Sequence, residues 1–205
     1  MTNNRSPFSI AVQRLNESAR PKLVEHFLKF GPNDTRLRFG SLLPPDTIAA
    51  YVEGIDFAAD AVFGVYGSEL DIVGVAHVAF GADAAELGVS VLPEHRDKGV
   101  GSALFARAVE HARNRFVTRI YMHCLAENAA MMHIAQTAGM TICVNQGEAD
   151  AFVDVPRGDA ASIAGEFVDQ RLALVDYALK SQAAALKRIA TALGGGPETD
   201  ASSDR

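Results

Sequence analysis

The chain has few cysteines, no long apolar run and no excess of positive charge, and each absence excludes something. Cys124 and Cys143 are its two cysteines. Both lie in apolar runs and neither has a metal-ligand spacing, so they are expected to be reduced core thiols in a cytosolic protein. No segment is long enough to span a bilayer, and Met1-Thr2-Asn3-Asn4-Arg5 lacks the apolar run of a signal peptide. A formal net charge of -6 argues against non-specific nucleic-acid binding. His26, His77, His95, His111 and His133 form no ligand cluster, so no metal is expected. There are no internal repeats. What is present is a chain of 205 residues, 48% hydrophobic, which suits one globular domain with a sizeable core plus an extension.

Residues 85–105 organise the rest. They read as a strand ending Val89-Ser90-Val91, a turn at Pro93, a loop bearing Gly99 and Gly101, and the start of a helix. The first amides of a helix lack internal acceptors and carry the positive end of its dipole, which suits them to phosphate. Glycines let an anion approach the main chain, and Arg96 and Lys98 add mobile cations. An ordinary strand-to-helix turn fits the same residues.

Around this stretch, alternation predicts a first strand at 8–13. Asn16 caps a helix to about residue 30, with Leu23, Phe27 and Phe30 on one side and Gly31-Pro32 as the stop. A polar–apolar segment at 35–39 precedes Pro44-Pro45, which open a second helix ending at Gly54. Strands at 61–66 and 70–80 form a hairpin. The helix after the glycine loop runs from 99 to about 115, with Val100, Leu104, Ala108 and Ala112 on one face. A strand at 119–125 leads to a helix opened by Asn128 and closed by Gly139, and strands at 140–145 and 151–155 follow. The expected class is α/β, with a mostly antiparallel sheet rather than a doubly wound one.

The segment 159–193 is expected to be one long helix. Val168, Leu172, Val175, Leu179, Leu186, Ile189 and Leu193 recur in steps of four and three, with Gln182 in the skipped place. A helix packed on its own domain and a homodimer contact both fit. Residues 194–205 read as a disordered tail.

Three phosphate motifs can be compared with the loop. The P-loop requires Gly-Lys-Ser/Thr, which is missing. The dinucleotide fingerprint requires a third glycine, and Leu104 stands there instead. What remains is Arg96-Asp97-Lys98-Gly99-Val100-Gly101 after a strand ending in valine. This resembles the acyl-CoA signature Arg/Gln-x-x-Gly-x-Gly/Ala of the GNAT superfamily of N-acetyltransferases. Asn128 and Gly139-Met140 resemble that family's second marker, and the likeness spans residues 8–155.

The resemblance implies a GNAT fold, a mixed and mostly antiparallel sheet flanked by helices, over residues 1–157, with a helical extension at 158–193. It implies acetyl-CoA as co-substrate. Val89 and Val91 would pair their backbone with the pantetheine arm. Arg96, Asp97, Lys98, Gly99, Val100, Gly101 and Ser102 would cradle the pyrophosphate, and Asn128 would hold the pantetheine or the sulfur end.

Acetyl transfer needs a neutral amine, and deprotonating a lysine-type ammonium at pH 7 costs roughly 4–5 kcal/mol, against about 2 kcal/mol to release a thiolate. A base therefore matters more than an acid. The family's usual acid, a tyrosine seven residues after the Asn, is replaced here by Ala135. Glu86 is the leading base, on a strand face shared with Gly88 and Ser90, where partial burial would make it more basic. A glutamate paired with Arg36 or Arg38 is the alternative. His123 is the second candidate base, needing no tuning, although a satisfied sheet histidine also fits.

A narrower likeness adds weight to Glu86. The runs 36–39, 72–76, Ala85-Glu86 and 125–131 resemble bacterial protein-lysine acetyltransferases, in which the corresponding glutamate is the base. The expected function is an acetyl-CoA-dependent N-acetyltransferase acting on a protein lysine or a small-molecule amine, cytoplasmic, without nucleic-acid or membrane partners. A non-catalytic acyl-CoA-binding module is the alternative from another class.

Overall fold

Among the described residues, seven strands and six α-helices follow one another in the order that the hydrophobic periods suggest, with one helix more than expected. The structure is a computed structural model and describes residues 10–194. The strands are β1 (Gln13–Leu15), β2 (Ala61–Tyr66), β3 (Ile72–Phe80), β4 (Ala84–Val91), β5 (Arg119–Leu125), β6 (Thr141–Asn145) and β7 (Glu148–Asp154). The helices are α1 (Arg20–Leu28), α2 (Pro32–Phe39), α3 (Pro45–Glu53), α4 (Val100–Arg113), α5 (Ala129–Thr137) and α6 (Ala160–Gly194).

The sheet order is β1-β2-β3-β4-β5-β7-β6. Among the described residues only β4 and β5 run parallel, joined through α4 as such a crossover requires. All the other pairs are antiparallel.

Two cores lie on the two faces of the sheet. On one face Leu23, Phe27, Ile48 and Val52 of α1 and α3 pack on Val62, Ile72 and Val75. On the other, Val100, Leu104, Ala108 and Ala112 of α4, with Met131 and Ala135 of α5, cover Phe63, Val73, Ala76, Leu87 and Val89. The i, i+4 stripe read in α4 is thus its buried face, and truncating Leu104 to Ala should cost about 2–5 kcal/mol. Gly74 lets α4 approach closely, since a Cβ there would lie 2.7 Å from Val100 Cγ1.

Several expectations are corrected. The first strand is Gln13–Leu15 rather than 8–13, because β1 exists only where it pairs with Val62, Phe63 and Gly64 of β2. Phe8 lies outside the described residues, as does the tail from 195 onward. The expected first helix is split: Asn16 caps a 3-10 turn, Glu17–Ala19, and α1 follows. Residues 35–39 belong to α2, which starts on Pro32 and ends at Gly40 in the left-handed region, φ 77°. Cys124 is half-buried and packs against the core, whereas Cys143, in the edge strand β6, is exposed and is not a core thiol. Among the described residues no helix is long and apolar enough to cross a membrane.

The long helix α6 begins with reciprocal caps. Ser162 N–H donates to Asp159 Oδ1 at 2.8 Å, and Asp159 N–H donates to Ser162 Oγ at 2.9 Å. Its first turns are then clamped to α4. Glu166 accepts from His111 Nδ1 and, at 2.6 Å, from Asn114 Nδ2, and Arg107 Nη1 lies 3.2 Å from it. Burial alone would raise the Glu166 carboxyl, but the hydrogen bonds from His111 and Asn114 and the charge of Arg107 outweigh it and hold the group at about 2.

Candidate active site

β4 and β5 share three rungs, Ala84–Arg119, Ala85–Ile120 and Glu86–Tyr121, and then part. Beyond Glu86, β4 keeps its ladder with β3. Leu92 N–H donates to Val73 O at 2.9 Å, and the register sets Val91 beside Gly74. Backbone groups alternate in direction along an antiparallel ladder, so Val89 and Val91 turn theirs away from β3, into the gap that β5 has left. The N-terminal half of α5 faces this gap, and a cleft of about 720 Å³ results. Val89 and Val91 line one wall; Asn128, Ala130 and Ile134 line the other.

At the loop end of the cleft the chain turns sharply. Asp97 and Gly99 are both left-handed, with φ 58° and 79°. Gly99 is the N-cap of α4, so Gly99, Val100, Gly101 and Ser102 line the cleft with the helix's first amides. At Gly101 a Cβ would lie 3.1 Å from Ile134 Cδ1, so glycine lets the two walls approach this closely. A free strand edge running into a helix N-terminus matches the chemistry of acetyl-CoA: amides along the pantetheine arm, then a pyrophosphate.

Arg96 is not the mobile cation expected. Its Nη2 pairs with Asp34 of α2 at 2.8 Å and its Nε donates to Val91 O at 3.1 Å. It therefore ties α2 to the end of β4, using the Val91 carbonyl and leaving Val89 as the freer edge. Lys98 is exposed and donates to Glu94 O at 2.8 Å. Asp34 was not singled out by the sequence, because it lies 62 residues from its partner and in no motif.

Asn128 is buried in the cleft wall, but its amide is already engaged. Oδ1 accepts from Met131 N–H and Nδ2 donates to Leu37 O, both at 3.2 Å. It caps α5 and fastens it to α2. Ala135 is buried in the core, whereas His133, set aside in the sequence, is exposed and lines the cleft.

Glu86 is exposed rather than partly buried, in a separate shallow hollow with Tyr121, Phe80 and Gly81. Among the described residues its carboxylate has no ion-pair partner. The two arginines weighed for that role go elsewhere: Arg36 pairs with Glu127 at 2.5 Å, and Arg38 Nη2 donates to the Tyr51 hydroxyl at 3.0 Å. Tyr51 in turn donates to His77 Nδ1, whose Nε2–H donates to Asp60, each at 3.0 Å. Gly88 makes room for this chain, since a Cβ there would sit 2.9 Å from Arg38 Nη2.

His123 stands two residues beyond Tyr121 on the same face of β5, exposed, 2.7 Å from Asp150. The hydrogen bond to Asp150 raises its pKa, and the charges of Asp150, Glu148 and Glu86 add to this. It is therefore tuned, and toward the protonated form. Beneath β4, His26 donates from Nδ1 to Ile72 O at 2.8 Å and accepts from the Ser90 hydroxyl at 2.9 Å. Burial pushes it down to about 4, so it stays neutral.

Comparison with known proteins agrees with this geometry. A streptothricin acetyltransferase of Streptomyces lavendulae is 31% identical over 94 residues, 44% of this chain and 49% of that protein, so the chain spans about half the length of the curated relative it matches. The GNAT domain of S. lividans PAT superposes with a TM-score of 0.61 at 20% identity, over 70% of this chain and 89% of that one. The yncA protein of Salmonella typhimurium, solved with acetyl-CoA, superposes with a TM-score of 0.55 at 16% identity, over 73% and 95% of the two chains. A model of the acetyltransferase (GNAT) family matches residues 34–140, which hold the splayed strands, the glycine loop and Asn128, and the chain belongs to that family.

Proposed function

We propose that the chain transfers an acetyl group from acetyl-CoA to a primary amine by direct attack in a ternary complex, with Glu86 receiving the amine's proton through water. The observation that carries this is the place of Glu86 on the last rung shared by β4 and β5, three residues before Val89, where the β4 wall of the cleft begins. Acetyl-CoA supplies the activated thioester. The chain's own groups do the rest. The Val89 and Val91 edge orients the pantetheine amides, and the amides of Gly99, Val100, Gly101 and Ser102 receive the pyrophosphate. Glu86 then removes the proton that would otherwise cost roughly 4–5 kcal/mol to shed at pH 7. His123, held toward its charged form by Asp150, is the weaker candidate for that task.

A protein lysine is the leading acceptor. The hollow beside Glu86 is shallow and open, and Glu86, Glu148 and Asp150 are all exposed on this side of the sheet. An open, acidic surface suits a lysine carried on a protein. The likeness to a streptothricin acetyltransferase favours a small-molecule amine as the second reading. Steady-state CoA release with acetyl-CoA and a panel of lysine-bearing proteins and small amines separates them. Turnover on a protein acceptor is expected, and turnover on small amines alone replaces the lysine assignment. Acetyl-CoA binding without turnover on any acceptor identifies a binding module and overturns the proposal.

A further inference from the structure

α6 has two unlike faces. The inner one is docked: Ala173 and Ala184 are buried, the Tyr177 ring meets Tyr66 at 4.7 Å, and Lys180 donates to Tyr66 O at 2.9 Å. The outer one is apolar and uncovered. Val168, Leu172, Val175, Leu179, Leu186 and Ile189 are each 52–67% exposed. Steps of four and three, with Gln182 in the skipped place, make three heptads, about 33 Å of helix. Single exposed apolar residues are ordinary, but a continuous seam with a 3.5-residue period is not.

We infer that this seam pairs α6 with α6 of a second copy of the chain, parallel and in register. Leu172, Leu179 and Leu186 take the a positions, and Val168, Val175, Gln182 and Ile189 the d positions. Two features of the flanks and core select this occupant and orientation. Arg171 is at g and Asp176, which also pairs with its own Lys180 at 2.8 Å, is at e, so in a parallel pair each arginine meets the partner's Asp176 as a second cation, twice by symmetry. Gln182 meets its own copy, where the two amides can bond to each other; in an antiparallel pair it would face the partner's Leu179. Asp169 stands at the first e position, and Ala178, Ala183, Ala185 and Ala190 fill the remaining flank positions and allow close approach. Leucine at a with β-branched residues at d favours larger bundles on a free helix. Here the domain lies against the b and f positions, beside the e flank, which leaves room for one partner helix.

Sedimentation velocity on the full chain tests this, together with Leu179→Asp and Leu186→Asp, whose side chains lie outside the domain cores. A dimer that becomes monomeric in both variants, each still binding acetyl-CoA, is the expected result. With Cys124 and Cys143 replaced by Ser, Gln182→Cys should cross-link under mild oxidation. A monomer at every concentration, a dimer unaffected by both substitutions, or partition onto anionic vesicles without self-association overturns the pairing. A dimer that fails to cross-link at 182 overturns the parallel register.

Discussion

Glu86 stands opposite Tyr121 on the third and last rung of the parallel β4–β5 ladder. That one relationship links the two halves of the site. On the near side of the rung the sheet is closed and backbone groups are paired. On the far side β5 departs, and the Val89 and Val91 edge opens to the cleft. In the proposed function the acetyl end of the cofactor lies on the Glu86 side of that edge.

Gly101 tests the cofactor half. Valine there adds atoms where a Cβ already lies 3.1 Å from Ile134 Cδ1 and 3.7 Å from Val91 Cγ2. Steady-state kinetics should show KM for acetyl-CoA raised at least about tenfold, equivalent to about 1.4 kcal/mol, with the melting temperature nearly unchanged. An unaltered KM would place the cofactor elsewhere.

His26 sets an acid limit on stability. Its folded value is about 4, against about 6.5 for a free histidine. Between these values the unfolded chain binds a proton that the folded chain refuses. The contribution is therefore complete above pH 6.5 and is lost as pH falls toward 4, by about 3 kcal/mol in all. Urea unfolding at pH 7 and pH 4.5 should show this loss, and His26→Gln should flatten it. An equal slope in both proteins would contradict the assignment.

Glu166 holds the start of α6. Glu166→Ala removes the acceptor used by His111 and Asn114 and leaves the buried Arg107 charge with only the more distant Glu110, 3.8 Å away, as an ion-pair partner. The expected cost is about 3 kcal/mol in unfolding free energy, with faster amide exchange in α6. The carboxyl's value of about 2 lies below its ordinary 4.3, so this support is present above pH 4.3 and lost as pH falls through that range toward 2. Exchange in α6 as slow as in the parent would show that the helix is held by other contacts.

Much of the fold was legible because periodicity and punctuation agreed. β2 and β5 were placed at their observed ends, and α3, α4, α5 and α6 within two residues of theirs, by apolar spacing and by Pro45, Gly54, Asn128 and Gly139. α2 was not legible: Pro-Asn-Asp-Thr-Arg-Leu-Arg-Phe has no apolar face of its own and is held by Asp34–Arg96 and by Leu37 O accepting from Asn128. The glycine loop could be read locally because its chemistry is backbone chemistry. The partners of Arg96, Asn128 and Arg38 could not, since each depends on side chains brought together from distant segments.

The most direct measurement concerns Glu86 itself. Glu86→Gln keeps the size and exposure of the side chain and removes its capacity to take a proton. Acetyl-CoA affinity by calorimetry should be unchanged, while kcat with the best amine acceptor falls about 10²–10⁴-fold. A Glu86→Gln protein that binds acetyl-CoA normally and turns over at the parent rate would contradict the assignment of Glu86 as the base.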